Sequence, residues 1–324
     1  MLFYTKMALN PNKYENIDNF IWALLRKNKT PKKKDYNKIY LDIYNFSYED
    51  YINRLNFIKL SIKQLNKLKE IPIVEQRTEE WYNMRKNMLT ASDTYNAINK
   101  SNYLIKNKAL KIQQHIKCAA LTWGIMFEPI ATNIYSKENN DIEIFDFGVI
   151  KSNDPDINFY GASPDGITSL GTMLEIKCPI TRKIKDGDVK KMYMAQVQGQ
   201  MAVCQLDECD FAEFEFEKIE NVNNFLKIDS NITKYFGCVI VNKDDNNKFD
   251  YYTPLGLDPL SCYLDTLNYE DNDVIYWKLN KMNIQRILFD KEKWENFYKP
   301  KILDFWDAVK NYKDDNFDFH SDSD

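Results

Sequence analysis

Histidine is almost absent from this chain of 324 residues, which holds two, and the six cysteines at 118, 178, 204, 209, 238 and 262 include no CxxC pair. Grouped His and Cys ligands for zinc are therefore missing, and the spacing also argues against an iron-sulfur cluster. The same cysteines form no disulfide framework, which points to a reducing intracellular compartment, with Cys178 and Cys204 in apolar segments that read as buried. Long apolar runs are lacking too. None exceeds Phe20 to Leu25, which excludes a membrane span, and the opening MLFYTKMALN has no signal-peptide core. Glycine is scarce at nine residues. Asn, Lys, Ile, Asp and Tyr are abundant, a composition of AT-rich coding that bears on no activity.

The formal charge of −4 hides an asymmetry. Five acids and no Lys or Arg lie in Asp314 to Asp324, and without them residues 1–313 carry +1. A near-neutral body with local basic patches suits an enzyme that binds DNA and then leaves it. The acidic tail reads as disordered, either solvating the chain, shielding a basic groove or binding a partner.

Apolar spacing predicts helices over Ile17 to Arg26 and over Ser47 to Glu70, where Tyr51, Leu55, Ile58, Ile62 and Leu65 recur on one side, with a loop at Pro31–Lys34 between them. Ser47 with Asp50 marks a helix start. This region stands apart from the remainder of the chain and either braces it, contacts DNA through its lysines or binds a partner. Glu75 to Ile98 reads as two helices, one capped by Thr78 and one opened by Ser92, with Arg85 close enough in sequence to complete a phosphate site. Cys118 to Asn139 is an amphipathic helix that Pro129 bends beside Glu128, a carboxylate that is either a metal ligand or an ordinary helical Glu. Strands follow near 142–150 and 158–162. Thr181 to Lys191 is a mobile basic loop with Arg182, Lys183 and Lys185. The helix Tyr193 to Cys204 lines up Tyr193, Gln196 and Gln200, and Gly199 permits close packing. Strands recur at 210–218 and 235–242, and a last helix at 291–310 buries Trp294, Phe297, Ile302 and Phe305.

The densest chemistry lies in GASPDGITSLGTMLEIKCP, Gly161 to Pro179. Folded as a hairpin about Leu170 and Gly171, this segment sets Asp165 opposite Glu175, with Cβ atoms roughly 5 Å apart. Glu175 and Lys177 then share one face and Leu174 and Ile176 the apolar one. Two carboxylates about 4 Å apart repel by on the order of 4 kcal/mol at an effective dielectric near 20, and a divalent cation removes that repulsion. Oxygen ligands select Mg²⁺ or Mn²⁺. Lys177 is placed to orient water or to stabilise a phosphorane-like transition state. Taken alone, Pro164–Gly166 is an ordinary turn and alternating Glu and Lys an ordinary solvated strand face.

Four segments stand in fixed order: EEWYNMRKNMLTAS, LTWGIMFEP, GASPDG followed by LEIKCP, and YMAQVQGQMAV. Over about residues 75–218 the chain resembles the phage lambda exonuclease family, the YqaJ-type viral recombinase nucleases of the PD-(D/E)XK superfamily. The resemblance implies an α/β, restriction-endonuclease-like core with a central mixed sheet flanked by helices. It implies that Asp165, Glu175 and the Ile176 carbonyl hold the metals, two Mg²⁺ ions or Mn²⁺ in their place, with Glu128 near them and Lys177 as the catalytic lysine. Arg85, Ser92, Ser163 and Gln196 fall where the family holds the terminal 5′ phosphate.

The activity implied is 5′-to-3′ degradation of duplex DNA to 5′ mononucleotides, leaving 3′ single strands for an annealing partner, in the host cytoplasm or nucleus if viral. An endonuclease or RNA nuclease of the same fold is the nearest alternative, and a non-catalytic nucleic-acid-binding module the next. The sequence divides into a helical extension at 1–70, a nuclease domain at 71–313 and the tail at 314–324. Oligomeric state is left open.

Overall fold

In a computed structural model of the chain, residues 11–30, 33, 47–74, 78–112, 118–241, 249–252, 258–269 and 273–313 are described. The acidic tail, residues 75–77 and most of the Pro31–Lys34 loop lie outside them. The first two helices form where the apolar spacing puts them, α1 at Pro11–Arg26 and α2 at Tyr48–Lys69. Ser47 and Asp50 close a reciprocal capping box at the start of α2, satisfying backbone donors that would otherwise be unpaired. Neither helix stands off from the rest. Ile17 and Ile21 of α1 and Tyr51 and Ile58 of α2 share one core cluster with the central sheet, while Leu65 and Leu68 of α2 enter the other.

Next come α3 (Glu79–Lys86), α4 (Thr94–Ile98), α5 (Asn102–Ala109) and α6 (Ala119–Glu138), then α7 (Lys191–Cys204), α8 (Pro259–Thr266) and α9 (Lys299–Lys310). The strands are β1 (Leu89–Thr90), β2 (Ile144–Phe145), β3 (Ile150–Lys151), β4 (Tyr160–Ala162), β5 (Gly166–Thr168), β6 (Met173–Lys177), β7 (Glu208–Ile219), β8 (Phe236–Val241), β9 (Phe249–Tyr252) and β10 (Asp273–Leu288). Seven form the main sheet in the order β2-β5-β6-β7-β10-β8-β9, and β1-β4-β3 form a small second sheet. In the main sheet β6 and β7 run parallel and the other pairs antiparallel.

Alternation along β6 and β7 sends residues to two different cores. Leu174, Ile176, Ala212 and Phe214 pack with α1, α2 and α6, whereas Met173, Cys209 and Phe211 pack with α4, α7 and α9. The architecture is α/β, a mixed sheet with helices on both faces, as the resemblance implies. Among the described residues no helix is long and apolar enough to cross a membrane.

Two features depart from the sequence reading. The sixteen-residue β10 lies between β7 and β8 in a stretch that reads as no particular element. Most of its residues are half-buried on both faces, so period-2 alternation is blurred. The last helix is three pieces rather than one. Pro300 has no N–H to give, and ahead of it the amide of Lys299 donates five residues back to the carbonyl of Trp294, making a π-turn over Trp294–Tyr298. That turn leaves Phe297 exposed, while Trp294, Ile302 and Phe305 are buried as expected.

Six polar side chains meet inside the fold. Arg54 of α2 donates to both carboxylate oxygens of Asp18 of α1 at 2.6 and 2.8 Å and to both of Glu208 of β7 at 2.6 Å. Arg286 of β10 reaches Glu208 at 2.8 Å, Asp18 at 3.1 Å and Asp210, whose other partner is the Tyr135 hydroxyl at 2.6 Å. Burial opposes ionisation of Asp210, but the Arg286 guanidinium overcomes it and holds the carboxyl below its ordinary value.

Candidate active site

The hairpin forms as the spacing predicts. Gly166 pairs with Leu174 and Ile167 with Met173, so the next antiparallel position sets Asp165 opposite Glu175. The turn is closed by the Gly171 amide donating to the Thr168 carbonyl at 2.8 Å and by the Thr168 amide donating to that of Thr172 at 2.9 Å. Gly171 sits at φ +78°, and a Cβ there would lie 2.6 Å from Ser61 of α2, so both backbone and packing demand glycine.

At the C-terminal end of β6 the two helical layers part, leaving a cleft of about 300 Å³ lined by Glu128, Asp165, Ile176, Lys177, Arg182 and Tyr193 among others. Asp165 accepts the Ile176 amide at 2.7 Å. Glu175, 1% exposed, is held on both oxygens: one accepts from Lys177 and from Gln196 at 2.6 Å, the other from Gln200 at 2.7 Å. Both glutamines come from α7. Gly199 lets α7 in, since a Cβ there would collide with the Tyr160 hydroxyl, itself bonded to Thr94.

Burial raises the Asp165 carboxyl well above its ordinary range, and the charges of Glu175 and Glu128 raise it further. Burial disfavours the Lys177 ammonium, yet the facing carboxylates of Glu175 and Asp165 outweigh it and hold the group above its ordinary value. A larger cleft, about 780 Å³, lies between α3 and the small sheet, away from these groups.

A second cluster forms where α3 meets β1. The Arg85 guanidinium stacks 4.3 Å over the Trp81 ring and donates to the hydroxyls of Ser92 at 3.3 Å and Thr90 at 3.4 Å. Those hydroxyls are 2.9 Å apart. Burial pulls the Arg85 pKa down, with Asp93 opposing. Residues 80–207, which contain every group named in this cluster and in the cleft, match the model of the YqaJ-like viral recombinase domain. Over those residues the chain is similar to that domain.

A relative from Acanthamoeba polyphaga mimivirus, the uncharacterized protein R354, is 29% identical over 307 residues, 77% of this chain and 55% of that one. The chain thus spans about half the length of the curated relative it matches. Among solved structures it is similar to the alkaline exonuclease LHK-Exo from Laribacter hongkongensis, also seen in complex with dAMP, at 21% identity over 72% of this chain and 93% of that one, TM-score 0.47. A phage-related exonuclease from Haemophilus somnus 129PT shares 12% over 69% of this chain and 92% of that one, TM-score 0.37.

The fold brings Asp165, Ile176, Lys177 and Glu128 to one cleft, with Glu175 buried beside them and bonded to Lys177, and Arg85 and Ser92 to one cluster. Among the described residues no three His, Cys, Asp or Glu side chains form a ready-made metal cage. The donor chemistry nonetheless fits a hard cation, because the groups around Asp165 are carboxylates and a peptide carbonyl, and Oε2 of Glu175, which accepts only from Gln200, keeps lone-pair capacity. Gln196, expected at a phosphate, is bonded to Glu175 instead. The Ser163 hydroxyl and the Gln200 amide oxygen are buried without a hydrogen-bond partner.

Ser92 does not open a helix. Thr90 is the cap, reciprocally bonded with Asp93, and Ser92 lies inside the short 3₁₀ turn beyond it. The basic loop is docked rather than loose: Arg182 pairs with Glu213, Lys183 with Glu215 at 2.6 Å and Lys281 with Asp186 at 2.9 Å, which leaves Lys185 exposed at the surface. Sequence reasoning missed Thr90, Asp93 and Lys108. The Thr90-x-x-Asp93 spacing is a capping pattern that was there to be read, whereas Lys108 carries no local signal.

Proposed function

We propose that this chain is a metal-dependent nuclease that degrades duplex DNA from its 5′ ends and leaves 3′ single strands for an annealing partner in the recombination or replication of a viral genome. The observation that carries this reading is the register that sets Asp165 opposite Glu175, with Lys177 on the same strand face at the mouth of a cleft. Asp165, Glu175, the Ile176 carbonyl and Glu128 would hold Mg²⁺, two ions per site, with Mn²⁺ as a substitute. Bound there, such ions make water a stronger nucleophile and neutralise charge on phosphoryl oxygens.

The remaining work falls to the chain's own groups. Gln196 and Gln200 fix both oxygens of Glu175, so that carboxylate is oriented before substrate arrives. Lys177 stays protonated beside two carboxylates and offsets the charge on the phosphoryl oxygens as water adds and the 3′ oxygen leaves. Arg85 and the hydroxyls of Ser92 and Ser163 bind the 5′ phosphate of the strand being shortened. That end-recognition role favours an exonuclease over an endonuclease, which has no terminal phosphate to bind. Arg182, Lys183 and Lys185 supply backbone contacts along the duplex.

The test is digestion of linear duplex labelled separately at its 5′ and 3′ ends, beside closed circles and RNA, with Mg²⁺, Mn²⁺ or EDTA. Metal-dependent loss of 5′ label as mononucleotides with circles intact is expected. Cut circles or degraded RNA assign an endonuclease or RNA nuclease instead, and no cleavage with any metal assigns a binding module.

A further inference from the structure

Lys108 sits near the end of α5, and its side chain is 13% exposed. Its ammonium donates to the carbonyls of Met88 at 2.9 Å and Arg85 at 3.4 Å, and lies 3.1 Å from Oδ2 of Asp93. That same oxygen accepts the Thr90 hydroxyl at 2.8 Å and the Thr90 amide at 3.4 Å. Thr90 in turn meets Ser92, and both hydroxyls receive Arg85. A chain of polar contacts therefore runs from Lys108 through Asp93 and Thr90 to Ser92 and Arg85.

Arg85 differs from three other arginines among the described residues. The arginines Arg54 and Arg286 are saturated by carboxylates, and Arg182 has Glu213. Arg85 instead spends its hydrogen bonds on two neutral hydroxyls near the long limit for such bonds. A half-buried guanidinium with only such bonds is left with unused affinity for an anion. Asp93 is the carboxylate whose charge acts on it. The bonding oxygen of Asp93, Oδ2, is committed to Lys108 and Thr90.

We infer that Lys108 is a positioning residue for terminal-phosphate specificity: by holding Asp93, it keeps Arg85 and the Thr90 and Ser92 hydroxyls open to a phosphate monoester. This rests on the reading that these groups bind the 5′ end. With Lys108 present, Arg85, Lys108 and Asp93 sum to one positive charge facing a group of about −1.5 to −2 at neutral pH. Without it the three positions sum to zero. Asp93 is then released to pair with Arg85 and to repel the phosphate.

The experiment uses the full chain with Mg²⁺ and two duplexes that differ only in a 5′-phosphate or 5′-hydroxyl terminus, with kcat and KM measured for each. Lys108→Ala is expected to raise KM for the phosphorylated duplex about tenfold, the size of one lost charge-assisted contact, and to leave the hydroxyl duplex within about twofold. Lys108→Arg is expected to retain the preference. Asp93→Asn in the Lys108→Ala background is expected to recover most of the lost affinity, because no carboxylate remains to compete.

A Lys108 that only stapled α5 to the carbonyls of residues 85 and 88 would not be rescued from position 93. An equal loss on both duplexes, or no rescue by Asp93→Asn, overturns the assignment. Should Lys108→Ala not fold, Asp93→Asn alone decides: a lower KM for the phosphorylated end supports the inference and a raised one overturns it. Wild-type protein that cleaves both duplexes equally well refutes the 5′-phosphate reading itself, before any variant is made.

Discussion

Arg54→Met is expected to destabilise the protein by about 3–5 kcal/mol, the range for breaking a buried ion pair from one side. Arg54 supplies four hydrogen bonds of 2.6–2.8 Å to Asp18 and Glu208, and its guanidinium also lies 4.8 Å from the Phe57 ring. Methionine retains the apolar stem, so the loss reports charge rather than a cavity. After substitution three buried carboxylates, Asp18, Glu208 and Asp210, share the one guanidinium of Arg286, whose remaining contacts to Asp18 and Glu208 are single bonds of 3.1 and 2.8 Å.

The measurement is urea unfolding followed by tryptophan fluorescence, since a lower midpoint at unchanged slope isolates stability from a change in exposed surface. Adding Asp18→Asn and Glu208→Gln to Arg54→Met is expected to return more than half of the loss, because neutral amides do not need the cation. A change below about 1 kcal/mol for Arg54→Met, or a triple variant less stable than the single one, would refute the claim that this network ties α1 and α2 to the sheet.

Substitution of Glu175 by Gln or of Lys177 by Ala is expected to lower the cleavage rate at least about a hundredfold, the scale for removing a transition-state contact, while DNA binding by anisotropy and the melting temperature stay near wild type. Near-normal turnover in either variant would remove the site assignment. Gly171→Ala is expected to destabilise by about 1–3 kcal/mol, because alanine must adopt φ +78° and its methyl meets Ser61 at 2.6 Å; a melting curve that superimposes on wild type would show the turn to be malleable. Acid should weaken the fold through Asp210. Its carboxyl is held below its ordinary value of 3.8, so it contributes stability that is complete above that value and is lost as pH falls through the lower value it has in the folded protein. Melting temperatures from pH 5 to pH 2.5 should therefore drop less steeply in Asp210→Asn than in wild type, and equal slopes would refute its part in the acid response.

The hairpin, its pairing and the face assignment of Glu175 and Lys177 were legible in the sequence because they depend on neighbours. A turn at Leu170 and Gly171 fixes which residues oppose one another, and strict period-2 alternation does the rest. The same holds for the caps at Ser47 and Thr78, where a side chain closes on a backbone amide three residues away. The two halves of the candidate site were legible as separate motifs for the same reason.

What tertiary structure decided are the contacts between residues with no sequence relation. Asp18 and Arg286 meet across 268 positions, Arg54 and Glu208 across 154, and Lys183 and Glu215 across 32. Each of these side chains, taken singly, is a charged residue like dozens of others in the chain. Lys108 meets Asp93 only when α5 packs on α4 and α9, and β10 becomes a central strand only when β7 and β8 close on either side of it. Local sequence sets backbone conformation through short-range sterics and hydrogen bonding. Which charges end up buried together depends on how the layers pack, and so the hairpin could be read from eleven residues whereas the ion network needed the whole chain.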